Sequence, residues 1–387
     1  MSDLTLAPRV STVLWQGDVV VLGATWGGLA AAKACAARGW RTCLLEQAPV
    51  LGLETGACWR SDLPAGDCFS RARELAAGKG MPEGGPADVV LTTIAFDQVM
   101  AEAGVTSFVR VMPTRAVAAG DGKLVGVEVV GKSGRQLVKA SLVIDATPQR
   151  AFAQALAGKT CPPIGQVQRR IYVAGLCVPA DGQTWSLPAA IGAANDQVRA
   201  TAAAWPNEAI LTFAMDSSVA AGMARVLSRS MTVANDAFAW LKANVSDFAE
   251  ANLVDVAPAV EHALEIPELP ALTGAGVMVA PGEPPAVAAW IAGLSLTAED
   301  ALPQEILPSS TPVDTWELLS ASEQDLPSCE LPVAVACRHE LRDVVVAGYG
   351  TGGLFAALAA AEEGLSVAVV DPAPVPGGIG SAGRIHS

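Results

Sequence analysis

The chain has 387 residues, 51% hydrophobic and 17% charged, with 25 Lys and Arg against 39 Asp and Glu, a net charge of −14. That length accommodates about two to three domains of roughly 150 residues, and so apolar a composition excludes a disordered chain. The negative charge excludes nucleic acid and anionic membrane surfaces as partners, because both repel it.

Mean hydropathy is +0.38, yet every long apolar stretch is broken by Gly, Pro or charge before the ~20 residues a spanning helix needs. Met1–Gln16 contains no basic segment followed by a continuous apolar run, so no secretory signal is expected. The eight cysteines form no CxxC pair and no cluster with the three histidines. They read as buried thiols of a cytoplasmic protein without a metal site.

In chain order, Val19–Leu22 is a short apolar run suited to a central parallel strand. A turn with Gly23, Thr25, Gly27 and Gly28 follows, then an Ala-rich helix over Leu29–Ala37 that Gly39 stops. Thr42–Leu45 is a second strand, closed by Glu46. A helix is predicted over Ile94–Ala103, with a strand after Gly104. Ala116–Ala119, Leu124–Val130 and Gln136–Ala140 form a meander, and a closing apolar strand runs from Ala140 to Thr147, ahead of Pro148.

Further on, Gln166–Ala174, with Arg169, Arg170 and Tyr172, alternates like a strand of a substrate-binding sheet. Ser217–Ala251 has apolar residues at helical spacing, with Trp240 and Phe248 in the core. The prolines of 256–285 and of 303–332 make both zones loop-rich, the second a linker. His262 and His339 stand in charged, surface-like contexts, and no Ser–His–Asp, HExxH or Walker pattern occurs. Cys58 has no neighbouring cysteine with which to form a redox dithiol.

The most informative comparison is internal. Gly23 and Gly348, Gly39 and Gly364, and Glu46 and Asp371 all stand 325 residues apart, without gaps. Each copy reads strand, glycine turn, helix, strand and acid. Such a turn lets backbone approach a pyrophosphate, and the helix start offers free N–H groups and a partial positive charge. The acid at the end of the second strand accepts hydrogen bonds from ribose hydroxyls. Asp18 and Asp343 begin the strands and carry no chemistry. The second copy has the complete spacing Gly348, Gly350, Gly353, with Gly352 beside it. The first has Thr25 in place of the middle glycine, which puts a side chain where phosphate approaches.

With the meander and the Val143-Ile-Asp-Ala-Thr strand, the sequence resembles the FAD-dependent oxidoreductases of the glutathione-reductase-like, two-dinucleotide-domain class, over 18–150 and again over 343–387. One departure is Pro148 in place of the glycine usual there. The resemblance implies an α/β fold: a Rossmann-like FAD-binding domain with a β-meander over 1–150, an α+β middle domain over 151–340, and a second, incomplete βαβ dinucleotide-binding unit over 341–387. It implies FAD held by Gly23, Thr25, Gly27, Gly28, Glu46, Gln47, Ala146 and Thr147. A second nucleotide half would lie at Gly348, Gly350, Gly352, Gly353 and Asp371.

By the same resemblance Gly378, Ser381, Arg384 and His386 pass beside the flavin ring, with Arg384 and His386 as the catalytic pair. Hydride transfer between a small organic substrate and flavin is the activity implied. An NAD-dependent dehydrogenase remains open, as does a non-catalytic scaffold subunit that pairs with a catalytic flavoprotein chain. A partner polypeptide completing the C-terminal unit, or a homo-oligomer, is expected.

Overall fold

The computed structural model describes residues 4–5, 9–118, 124–148, 150–156, 165–216, 222–262, 277–280, 284–294, 328–331, 334–335 and 341–371. The N-terminal region runs β1 (Leu4–Thr5), β2 (Arg9–Leu22), α1 (Trp26–Ala37), β3 (Thr42–Glu46), α2 (Asp67–Ala77), α3 (Val89–Glu102), β4 (Thr106–Val109), β5 (Met112–Ala118), β6 (Leu124–Gly131), β7 (Gly134–Asp145) and α4 (Ala151–Leu156). Next come β8 (Gln166–Ala174), β9 (Gln183–Ser186), β10 (Gln197–Ala202), β11 (Glu208–Asp216), α5 (Gly222–Asn244), β12 (Asn252–Val256) and β13 (Glu261–His262). The chain continues through β14 (Val277–Val279), α6 (Pro284–Ala292), β15 (Ser328–Leu331) and β16 (Ala334–Val335). It then reaches β17 (Val344–Ala347), α7 (Thr351–Glu362) and β18 (Val367–Val370).

Strands β4, β3, β2 and β7 lie side by side and parallel. Val19–Leu22 and Cys43–Leu45 have no exposed surface, as befits strands covered on both faces. β7 serves two partnerships on its other edge. Its first half pairs antiparallel with β6, and so with the meander, whereas Val143–Asp145 pair parallel with β14. The meander strand Gln136–Ala140 and the closing strand after it are therefore one continuous strand, which a pattern of short runs divides in two.

A fifth parallel strand thus comes from residues 277–279, inside the zone that its prolines mark as loop. The prolines do not prevent order there because Pro284 and Pro285 occupy the first turn of α6, where no N–H is needed. Val287 and Ile291 of α6 join Leu29, Ala32 and Cys35 of α1 in one buried cluster. Helices α1 and α3 begin earlier than their apolar periodicity suggests, because Thr25 and Asp88 cap them. Cys35, Cys43, Cys58 and Cys68 are buried, but Cys177 is exposed, contrary to the uniform burial expected.

The second layer is an antiparallel sheet ordered β12-β8-β11-β10-β9, with β13 also on β8. One face packs on α5: Val167, Ile171, Val173, Leu211 and Phe213 meet Ala234, Ala237 and Leu241, and Phe248 is fully buried beside them. The helix is shorter than the span Ser217–Ala251, ending at Asn244. Because side chains alternate along a strand, Gln168 and Arg170 of β8 leave by the opposite face.

The C-terminal βαβ repeats the main backbone bonds of the first. Gly23 N–H donates to Leu45 O and Gly348 N–H to Val370 O, each at 2.8 Å. The Asp18 carboxylate accepts Arg41 N–H at 2.7 Å, and Asp343 accepts Ser366 N–H at 2.8 Å. Both helices end on a left-handed glycine, Gly39 or Gly364, at φ +78°, with the paired N–H bonds of a Schellman motif. Their surroundings differ. Val20 and Leu45 are fully buried, and their counterparts Val345 and Val370 are 61% and 62% exposed.

The first turn is tight. A Cβ on Gly28 would lie 1.9 Å from Gly23 O, whereas one on Gly39 would meet nothing within 4 Å. Urea unfolding is therefore expected to show Gly28→Ala costing about 2–3 kcal/mol through backbone overlap. Gly39→Ala should cost about 1–2 kcal/mol, from its φ alone; equal costs would contradict the contact.

Candidate functional site

The site is built where β2, α1 and β7 converge. The Thr25 hydroxyl accepts from Gly28 N–H at 3.1 Å and donates to Ala146 O at 2.8 Å, so the residue replacing the middle glycine caps α1 and ties it to the end of β7. Ala146 N–H donates to Leu22 O. Thr147 gives both its N–H (2.9 Å) and its hydroxyl (2.6 Å) to Asp145, which also accepts Ala153 N–H at the start of α4. These residues, expected to touch a cofactor, bind the loops to one another.

Glu46 lies at the end of β3, 5% exposed. Its two oxygens accept Ala24 N–H at 2.6 Å and Ala48 N–H at 2.7 Å. Burial raises its carboxyl above the usual range, and the backbone donors at Ala48, Ala24 and Gln47 oppose that. An ionised carboxylate accepts about four hydrogen bonds, so lone pairs remain for a ribose hydroxyl. The Gln47 side chain is exposed.

The stretch Gly52–Arg60, the N-terminal counterpart of the glycine-rich loop that the family resemblance places beside the flavin, completes the site. After Gly52, at φ +71°, Leu53–Ala57 form one π-helical turn that lies against the start of α1. The Glu54 carboxylate accepts Trp26 N–H, in the first turn of α1, at 2.9 Å. Thr55 accepts the Trp26 indole N–H at 2.9 Å, and the Arg60 guanidinium lies 4.4 Å from the Trp26 ring centre. Burial pushes Glu54 up to about 7; Trp26 N–H and Arg60 lower it, and Glu261 adds to the rise. A buried charge stands nearby. Arg150, 5% exposed with φ +51°, donates to Thr147 O at 2.9 Å and Ala280 O at 2.8 Å. Its Nε has no partner among the described residues. Burial lowers its pKa, and the carboxylates acting on it are Asp145 and Glu54.

Residues 18–170 and 343–387, just over half of the chain, match the family model of the FAD dependent oxidoreductases. The chain belongs to that family. FAD is the cofactor that goes with it. Among curated proteins none matches. Solved structures similar to this oxidoreductase include a geranylgeranyl bacteriochlorophyll reductase-like protein from Thermoplasma acidophilum (15% identity, 68% of this chain and 70% of that one, TM-score 0.46). The flavin-dependent brominase Bmp2 gives 14%, 73%, 81% and 0.47 in the same order. The anhydrotetracycline hydroxylase OxyS from Streptomyces rimosus gives 17%, 69%, 56% and 0.40.

The residues of the oxidoreductase fit FAD unequally. Glu46 suits the adenosine ribose, and α1 points its start at the place for a pyrophosphate, but the chain's own Glu54 carboxylate lies on that N–H. The second copy is arranged otherwise. Asp371 accepts Tyr349 N–H, as Glu46 accepts Ala24 N–H. Among the described residues, a Cβ on Gly350 or Gly352 would meet nothing within 4 Å, and no side chain caps α7. Gly353 touches Gly348 O as Gly28 touches Gly23 O. Gly378, Ser381, Arg384 and His386 lie outside the described residues. Among the described residues there is no metal-binding cluster and no helix long and apolar enough to cross a membrane.

Beside the π-turn opens a cleft of about 910 Å3 between residues 59–63 and 85–86 on one side and the free face of β8, β11 and β10 on the other. Alternation along β8 and β10 delivers Arg170 and Arg199 to it. Arg60 and Arg170 both donate to Glu261, at 3.0 and 2.6 Å, and Arg60 also pairs with Asp62. Arg73 donates to Gly85 O and Arg199 to Asp181 O. Neither has a carboxylate partner among the described residues.

A carboxyl whose folded pKa exceeds its unfolded one takes up a proton on folding. Glu54 therefore withholds stability increasingly as pH rises from its unfolded value, 4.5, to about 7, and by a constant amount above that. Glu54→Gln is expected to stabilise the protein by about 2–3 kcal/mol at pH 8 and to change little at pH 4, measured by urea unfolding. A variant less stable at pH 8 would show that the Trp26 bond outweighs burial.

Proposed function

We propose that this FAD-dependent oxidoreductase moves a hydride between bound flavin and a small anionic, polar substrate seated in the arginine-lined cleft. One observation carries the substrate class. In a chain of net charge −14, the cleft gathers, among the described residues, Arg60, Arg73, Arg170 and Arg199 against Asp62 and Glu261. A cleft of one sign draws in ligands of the other, and guanidinium forks suit carboxylate or phosphate.

When bound, FAD supplies two-electron chemistry. The chain's residues do the rest. Glu46 would accept the ribose hydroxyls, and its charge disfavours a 2′-phosphate. Trp59, packed edge-on against Tyr172, walls the cleft on the π-turn side. Arg73 and Arg199 have no competing carboxylate among the described residues, and would orient the substrate anion. Glu261 holds Arg60 and Arg170 in place. Gly348, Gly350 and Asp371 of the second copy would hold a further nucleotide half, and Arg384 and His386 would lie beside the flavin.

A second reading, a subunit without flavin that pairs with a catalytic flavoprotein chain, is favoured by the Glu54 carboxylate on α1. Reconstitution separates the two, since only the first predicts an oxidised-flavin spectrum after incubation with FAD. With a panel of reductants, the spectrum should bleach with anionic compounds and not with their amides or esters. Arg199→Glu is expected to raise KM for the anionic compound about ten- to a hundredfold, the loss of a charge-assisted bond, with kcat and the flavin spectrum unchanged. An unchanged KM would remove the cleft from substrate binding.

A further inference from the structure

We infer that the Glu54 carboxylate is the chain's own stand-in for the pyrophosphate of FAD, a plug that must leave the start of α1 before the cofactor is held there. The inference rests on FAD being bound at α1. Its support is geometric. A pyrophosphate is recognised by N–H groups at a helix start and by guanidinium groups, and a carboxylate is the closest chemistry a protein offers in its place. Glu54 accepts Trp26 N–H at 2.9 Å, and Arg150, with its Nε unpartnered, stands at the end of β7 within the field of that carboxylate. Once Glu54 moves away, Trp26 N–H is left to an incoming anion, within the field of Arg150.

The plug lies outside α1 itself. It belongs to a single π-helical turn opened by a left-handed Gly52, and such turns recur at functional sites. At the start of α7, among the described residues, no side chain takes the place that Glu54 takes at α1: a Cβ on Gly350 or Gly352 would meet none of them within 4 Å.

Two like charges cannot share one seat, so FAD affinity should depend on the proton of Glu54. The charged and titratable groups facing it are Arg60, Glu261, Arg150 and Cys58. Burial pushes the Cys58 thiol up to about 12, and the arginines keep their charge, which leaves Glu54 to titrate near 7. Below that, the neutral carboxyl yields readily; above it, the carboxylate competes.

The experiment measures FAD binding to the full chain by quenching of flavin fluorescence between about pH 5.5 and 8.5. Glu54→Gln and Glu54→Ala are compared with the unsubstituted chain, all carrying Gly350→Val so that the second turn contributes nothing, with a thermal melt confirming the fold of each. The unsubstituted chain should lose affinity about tenfold per unit above pH 7. Both Glu54 variants should be flat and, near pH 8.5, at least about tenfold tighter. Riboflavin, which has no pyrophosphate, should show neither effect. Equal affinities and equal slopes in all three chains would overturn the plug and leave FAD at α1. Folded variants that bind no FAD at any pH would overturn the site itself, and the plug with it.

Discussion

Where β2 gives way to α1, backbone rests on backbone. Gly28 lies against the carbonyl of Gly23, and Gly23 against the backbone of Thr147, so the ends of β2 and β7 and the beginning of α1 meet with no side chain between them. Everything else in the site follows from that closeness. It lets Thr25 reach Ala146 O while capping α1, brings Glu46 to the N–H of Ala24, and sets Asp145 to tie the turn after β7 to α4. Parallel strands feeding helices through short turns produce such a crevice at their carboxyl ends, which is where open α/β sheets bind ligands.

Burial then sets the electrostatics. The start of α1 is covered, with Trp26 only 6% exposed and Gly27 and Gly28 buried. A helix start has unsatisfied N–H groups, and leaving one buried without a partner is costly. Glu54 and Thr25 meet that need. The consequence runs outward: Glu54 lies in the field of Glu261 and Arg60, and Glu261 holds Arg60 and Arg170 at the cleft. A chain of charges therefore links the helix start to the floor of the cleft. A related tension appears behind the sheet. Arg169 points into the core, donates to Ser230 and the Ala257 and Leu227 carbonyls, and burial lowers it to about 10.

Much of the fold was legible because it rests on local signals. Gly39, Gly364, the apolar strands and the acids Glu46 and Asp371 are read from residue type and spacing alone, and the repeat of 325 residues corresponds to matching hydrogen bonds in both copies. What escaped was set by distance in the chain. Val277–Val279 is too short and too close to prolines to stand out, and becomes a strand only because β7 offers it an edge. Glu54 is one acid in a loop poor in glycine, and nothing in its neighbours says that Trp26 N–H lies 2.9 Å away. Arg170 was legible on a strand of a substrate-binding sheet, but Arg150, Arg60, Arg73 and Arg199 acquire meaning only once β8, β10 and the π-turn are folded together. Thr25 was legible as a departure, but its role as a cap required the geometry.

The two copies, alike in their hydrogen bonds, separate what the βαβ unit does by itself from what its surroundings require of it. In the C-terminal copy Thr351 and Gly352 are exposed, and among the described residues nothing lies above Gly350 or Gly352 and no carboxylate covers the helix start. In the N-terminal copy the same helix start is enclosed by the π-turn, and the middle glycine has given way to Thr25 and the open space to Glu54. A seat lined with N–H groups and closed to water has two stable conditions, filled by an anion from outside or filled by one of its own. Thr25, which both caps the helix and locks it to β7, belongs equally to either. Glu54 belongs to one of them, and its position between α1 and the arginine network makes it the residue on which the choice turns.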